Sequence, residues 1–352
     1  MWKKCSSPIH QILQIIPHRN MRRTRSVHSL SEFILTSPRR LAMPVLTFPG
    51  AHLTGTTVQA MVTNIDAQVA AQRELHRRFS TPFVMSAMDL SVEAEEFGAT
   101  ILMSDWEIPT VTGRRVTDAA GIRNLSVPTV GSRRTAVYLG TVTQLAASVP
   151  DAIPLGGMIG PFSLAGRLFG VSEALAETAG EPELIHKLLE KTTAFLTSYA
   201  RAFRQAGARG LIVAEPTAGL MSPNSVREFS SPYIRRIVQE VEGDGFQIIL
   251  HNCGARIGHL EAKLEAGARI LHFGQPMDIL AALMKVPEDI VLCGNLDPSA
   301  VFVGAPAQEV HAKTKALCEA TASRRNFVIS SGCDIPAQAP MPNLEAFFTA
   351  VG

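Results

Sequence analysis

The sequence predicts a (β/α)₈ TIM barrel, and three observations carry the prediction. Eight short, nearly continuous apolar runs follow residue 40, helical patterns fall between most of them, and polar residues collect where the runs end. Strands buried on both faces of a parallel sheet read as such runs. Alternation with helices implies parallel pairing through crossovers. A chain of 352 residues is long enough for one barrel with insertions.

The runs cover 44–48, 99–104, 152–159, 210–214, 246–250, 269–273, 289–293 and 327–331. Helices are expected over 58–79, 184–206, 223–242, 257–266, 277–285, 308–322 and 343–351. Glu181-Pro182 is a start signal for the second of these. Ser222 before Pro223 supplies an N-cap with proline at the first helical position of the third. Asn343 suits the cap of the last. Residues 110–129 read as an insertion, a hairpin over the barrel mouth that turns at Gly113. A doubly wound sheet is the alternative, but no Gly-rich phosphate fingerprint follows the first run, and no repeat of 20–50 residues is evident.

Composition narrows the class. The chain is 46% hydrophobic and 18% charged, with a formal net charge of +2, which fits a globular enzyme with a large core. The positive charge sits in residues 1–40, where eight lysines and arginines face the single acid Glu32. The remaining body is mildly acidic, so nucleic-acid binding is not expected. No apolar run is long enough to span a bilayer. Residues 1–40 read as a basic N-terminal extension, partly disordered or a short helix; residues 41–352 read as a single barrel domain. The extension formally suits a transit peptide, and the simpler expectation is an extended start with Met21 as the true one. A helix at about 26–35 is expected to pack on the barrel floor. Five cysteines, an odd number in a large chain, argue against a disulfide framework and for a reducing, cytoplasmic setting.

The chemistry gathers where the fifth run ends, at Ile248-Ile249-Leu250-His251-Asn252-Cys253-Gly254. Residues i and i+2 of a strand face one side, so His251 and Cys253 can address one site, although Cys253 is close to the turn. Cys333 ends the eighth run and could complete a His-Cys-Cys zinc site. Three protein ligands and one open position typify catalytic zinc. An isolated His-x-Cys pair is by default an ordinary buried pair; the matched Cys333 is what raises it. Cys293, in an apolar run, and Cys318, on a helix, are most simply small buried residues. Other polar residues at run ends are His52, Asp105, Glu215, His272, Asn295, Asp297 and Asp334, at the end of the barrel where active sites lie.

At these residues the chain resembles the uroporphyrinogen decarboxylase superfamily. The likeness is carried by Ser104-Asp105 followed by Pro109, by Gly294-Asn295-Leu296-Asp297-Pro298, by Ser331-Gly332-Cys333-Asp334-Ile335-Pro336, and by the ending from Pro340 to Phe347. His251-Asn252-Cys253 with Cys333, together with the stretch from Met88 to Gly98, resembles its zinc-dependent branch, the methylcobalamin:coenzyme M and related corrinoid:thiol methyltransferases. The resemblance implies a zinc-dependent transfer of methyl from a methylated corrinoid, free or on a small corrinoid carrier protein, to a thiol acceptor. His251, Cys253 and Cys333 are then the expected metal ligands. Glu215 and Asp105 are the candidate catalytic residues, and His52, Asn295 and Asp297 are the candidates for binding the corrinoid. Alternatives are another acceptor such as tetrahydrofolate, a non-enzymatic zinc- or corrinoid-binding protein, or decarboxylation. The decarboxylases fit less well: the loop from Phe48 to Gly55 holds no arginine for a polycarboxylate tetrapyrrole, and those enzymes carry a histidine where Cys333 stands.

Overall fold

Alternation along the strands decides which side chains fill the barrel and which face the helices. The computed structural model describes residues 29–243 and 245–352; the basic leader through residue 28, with Met21 and Cys5, lies outside the described residues. Nine strands are present among the described residues: β1 (Phe83–Met85), β2 (Thr100–Leu102), β3 (Thr110–Thr112), β4 (Ile153–Ile159), β5 (Gly210–Ala214), β6 (Gln247–Asn252), β7 (Ile270–Phe273), β8 (Val291–Leu296) and β9 (Phe327–Ser331). Seven of them form one parallel sheet in the order β1-β4-β5-β6-β7-β8-β9. The eighth stave is residues 41–48, laid along β9. Met43 N donates to Ile329 O at 2.9 Å, and Ile329 N donates to Leu41 O at 3.1 Å. Val45 N donates to Ser331 Oγ at 3.0 Å.

The other side of that stave has no ladder to β1. The Gln72 side chain spans the gap, its amide donating to Leu46 O at 2.9 Å and its oxygen accepting Met85 N–H at 2.9 Å. One buried glutamine thus satisfies a donor and an acceptor that the seam would otherwise orphan.

The barrel interior is an apolar cluster that includes Met43, Val45, Phe83, Met85, Leu155, Ile212, Ile249, Ile270, Val291, Cys293 and Val328. Their neighbours Leu211, Val213, Ile248, Leu250, Leu271 and Leu292 belong to the outer core against the helices. The floor is the helix Leu30–Thr36, capped by Ser29. Ser31 N donates to Gln247 Oε1 at 2.7 Å where β6 starts, and Leu30 joins the interior cluster.

The structure corrects several expectations. The run 99–104 is not a barrel stave; its core is β2, which pairs antiparallel with β3. Alternation on this two-stranded ribbon turns Leu102 out to 64% exposure, and β1 takes the place in the barrel. The hairpin therefore has arms at 100–102 and 110–112, with its loop before Thr110, rather than lying within 110–129. Gly113 follows the hairpin, at φ +70°. The helical pattern at 58–79 is two helices, Val58–Thr63 and Ile65–Phe79, because Asn64 leaves the helical conformation and caps the second through Ala67 N. Likewise Ser230 separates Pro223–Phe229 from Ser231–Val241. Pro340, not Asn343, precedes the last helix, and the Asn343 amide instead donates to Phe302 O and Ala305 O.

Replacing Gln72 with leucine should lower the unfolding free energy by about 2–4 kcal/mol, since two buried backbone groups lose their partners. Urea unfolding measures it, and a change below about 0.5 kcal/mol would contradict the seam's dependence on this side chain.

Candidate metal and active site

Interior alternation continues beyond the apolar layers. Two residues past Ile249 comes His251, two past Ile270 comes His272, and two past Val328 comes Ser330. All three side chains are buried. His251 and His272 are register partners on β6 and β7, and their Nδ1 atoms lie 2.8 Å apart. His272 Nε2 lies 2.7 Å from Ser330 Oγ, which donates to Met43 O at 2.6 Å. Burial first, and the neighbouring His251 second, push the His272 imidazole well below its usual range, so it is neutral at physiological pH.

Past His251 the chain turns. Asn252 points the other way and fixes the turn, its amide donating to Glu215 O at 2.7 Å and its oxygen accepting Gly254 N–H at 3.0 Å. Cys253 is half-buried in that turn, and Cys333, also half-buried, sits in the turn after β9. Glycines let both turns pack closely on the loop at Gly274. A Cβ on Gly274 would lie 2.2 Å from Cys253 O, and one on Gly332 would lie 3.0 Å from Gly274 Cα. Thr47, on the first stave, donates to both Asp334 oxygens at 3.0 and 2.8 Å, anchoring the residue after Cys333.

The donor atoms of His251, Cys253 and Cys333 all lie within 4.8 Å of one another. The thiols share a proton. Hydrogen bonding from Cys333, with a further contribution from His251, holds Cys253 down to about 4 against the opposing effect of burial. The same sharing pushes Cys333 up. Because His251 Nδ1 is engaged with His272, Nε2 is the ring atom left for a ligand. Two sulfurs and one imidazole nitrogen, partly open to solvent, are a donor set that zinc takes.

The remaining candidates separate from this cluster. Glu215 is fully buried at the end of β5, and its carboxylate accepts Phe162 N–H and Ser163 N–H at 2.8 Å each. It thereby caps the helix Pro161–Phe169 and does not join the three donors. Burial raises its pKa, opposed by Lys263. Asn295 donates to Gly274 O and Met277 O at 3.2 and 2.8 Å, bracing the loop beneath Cys253. Asp297 accepts Ser299 N–H and Ala300 N–H at 2.8 Å each. Both side chains thus make their hydrogen bonds to backbone groups of the neighbouring loops, Asp297 through Oδ1 alone. Asp105 is exposed in the hairpin loop, its carbonyl accepting Val58 N–H at 2.9 Å. His52 is exposed on the short helix Gly50–Thr54. Ser330 escaped the sequence reading. Its signal was the period of two along a strand whose other inward residues are apolar.

A family model described as uroporphyrinogen decarboxylase matches residues 32–352. The chain is 28% identical over 261 residues to the methylcobamide:CoM methyltransferase MtbA of Methanosarcina mazei, covering 73% of this chain and 75% of that one. It is 27% identical over 274 residues to the uroporphyrinogen decarboxylase of an Azoarcus species, covering 75% of each. A solved methyltransferase from Methanosarcina mazei superposes with a TM-score of 0.82 at 22% identity, covering 91% of this chain and 96% of that one.

In metal-free protein, the thiolate absorbance of Cys253 should persist as pH falls until about 4. Cys253→Ala should abolish it, and Gly274→Ala, which drives a methyl into the Cys253 turn, should shift its loss toward about pH 8–9, the ordinary thiol range. Gly258→Ala, with open space around it, should leave the titration unchanged. A wild-type thiolate lost near about pH 8, where an unperturbed thiol titrates, would contradict the shared-proton geometry.

Proposed function

This chain belongs to the uroporphyrinogen decarboxylase family, and from that premise we propose that it is a zinc-dependent methyltransferase moving a methyl group from a methylated corrinoid to a thiol such as coenzyme M. The observation that carries the reading is the convergence of His251, Cys253 and Cys333 within 4.8 Å. Family membership by itself does not choose the chemistry, since relatives of both kinds match at 28% and 27% identity. The donor cluster favours a metal-assisted reaction. The arginine-free loop from Phe48 to Gly55 speaks against a polycarboxylate tetrapyrrole.

Zinc held by these three residues would supply a Lewis acid that keeps an acceptor thiol deprotonated at neutral pH. Three protein donors rather than four leave room for a substrate sulfur. The chain's own part is placement. Asn252 fixes the turn that carries Cys253, while Thr47 and Gly332 fix the one that carries Cys333. Partial exposure of both cysteines opens the site to the mouth, and burial of His251 closes it from below. In the reaction the acceptor sulfur bonds to the methyl carbon as the carbon–cobalt bond breaks. The electron pair of that bond stays on the corrinoid, and the thiol proton leaves to solvent. The corrinoid arrives free or on a small carrier protein. Asp105 and His52, both exposed, are the candidate residues for meeting it, and Asn295 and Asp297 contribute by shaping loops. Glu215 supports the reaction by bracing the helix Pro161–Phe169 rather than by touching substrate.

Among the described residues no helix is long and apolar enough to cross a membrane. The odd number of cysteines, five in a large chain, supports a reducing, cytoplasmic setting.

The test mixes zinc-loaded protein with methylcobalamin and a panel of thiols and follows the cobalamin spectrum. Demethylation with formation of a thioether is expected, and Cys333→Ala should lower the rate by about 100-fold or more, a loss of about 3 kcal/mol of transition-state stabilisation. No demethylation with free or carrier-bound corrinoid would overturn the proposal. Full zinc retention by both Cys253→Ala and Cys333→Ala would overturn the ligand assignment. Metal-independent decarboxylation of a tetrapyrrole would establish the alternative.

A further inference from the structure

We propose that His272 and Ser330 are positioning residues that hold a hydrogen on His251 Nδ1 and so reserve Nε2 as the nitrogen that faces a metal ion. The inference rests on the zinc reading given above and deepens it.

Protons can be assigned step by step along one buried chain. Ser330 Oγ lies 2.6 Å from Met43 O and 3.0 Å from Ser331 O. Both carbonyls can only accept, so the single hydroxyl hydrogen must be given to one of them. Were it turned to His272 instead, two lone pairs would face each other across 2.6 Å. Ser330 therefore accepts from His272, and the 2.7 Å contact is Nε2–H to Oγ. A neutral imidazole carries one N–H, so His272 Nδ1 is an acceptor. A cationic His272 is disfavoured on geometric grounds, because its hydrogen-bond partners are a hydroxyl and another imidazole, with no carboxylate among them. The 2.8 Å contact between the two Nδ1 atoms must then be a donation from His251 to His272. His251 therefore keeps its hydrogen-bonding hydrogen on Nδ1, and Nε2 is the ring nitrogen left to face the cysteines.

The chain of donations starts at the candidate ligand His251 and ends at a backbone carbonyl of the first stave, Met43 O. It runs through Ser330 on β9 and His272 on β7. Backbone carbonyls cannot reverse their role, so the polarity of the whole chain is set by Met43 O. Partners that orient a metal-binding histidine are most often carboxylates, carbonyls or water. Here a second histidine serves, and it needs Ser330 to set its own tautomer. Neither residue is placed to touch a substrate: both are fully buried beneath the cysteines.

The test uses the full-length, metal-free protein with ¹⁵N-labelled histidine. Long-range proton–nitrogen correlation spectra report which ring nitrogen carries hydrogen. His251 is expected as Nδ1–H and His272 as Nε2–H. Zinc affinity, measured by competition with a chromogenic chelator, should fall about 10- to 100-fold in Ser330→Ala and in His272→Leu. His272→Asn, whose side-chain oxygen can accept from His251, should recover much of the loss. Wild-type His251 with no hydrogen on Nδ1 overturns the inference even if zinc binds. Affinities within about twofold of wild type in both Ser330→Ala and His272→Leu, far short of the loss expected for an orienting partner, overturn it as well. If His251 is Nδ1–H and wild-type protein takes up no zinc, the tautomer assignment stands and the zinc reading fails.

Discussion

In a closed parallel sheet every second residue points into the barrel, and much of this molecule follows from that constraint. The odd-numbered residues of β6 give Ile249 to the apolar interior and His251 to the layer above it. The even-numbered residues of β7 give Ile270 to the same interior and His272 to the same upper layer, so that two imidazoles meet across one register pair. A shift of one residue in either strand would send its ring into the helical shell and bring Leu250 or Leu271 inward. The apolar layers thus serve as the gauge for the polar one. They hold the strands in register, and the register sets which side chains can share the mouth.

Closing the barrel is a separate demand, met with side chains where backbone pairing runs out. Gln72 bridges the first stave to β1, and Ser331 accepts from Val45 on the stave's other edge. Ser330 ties the same stave to the histidine pair through Met43 O. The stave with the least backbone pairing is therefore linked to the candidate site. Glu215 plays a similar part on the opposite flank, where burial of a carboxylate is offset by two amide donors at the start of a helix.

Much of this was legible in the sequence, and the failures have physical causes. Seven of the eight expected runs contain or adjoin real staves, because strands buried on both faces must be apolar throughout. The His251-Asn252-Cys253 spacing announced a common face, and the structure brings Cys333 to it. The run 99–104 misled because Ile101 and Leu102 imitate a buried strand, whereas the three-residue β1 is too short to stand out. Asn295, Asp297 and Glu215 sit at run ends as expected, and the sequence did not foretell that their side chains hold backbone groups. Sequence places a polar residue near the mouth but does not say whether a loop amide will claim it first. Gln72 and Ser330 were invisible for a related reason, since their partners include carbonyls and amides that nearly every residue possesses.

The central claim is that His251, Cys253 and Cys333 hold one zinc ion with a position left for a thiol. X-ray absorption at the zinc edge of the loaded protein tests it most directly. The account predicts two sulfurs at about 2.3 Å and one imidazole nitrogen at about 2.0–2.1 Å, with the sulfur count rising from two to three when an acceptor thiol is added. A zinc shell without sulfur, or one whose sulfur count does not change with any methyl-accepting thiol, would contradict it.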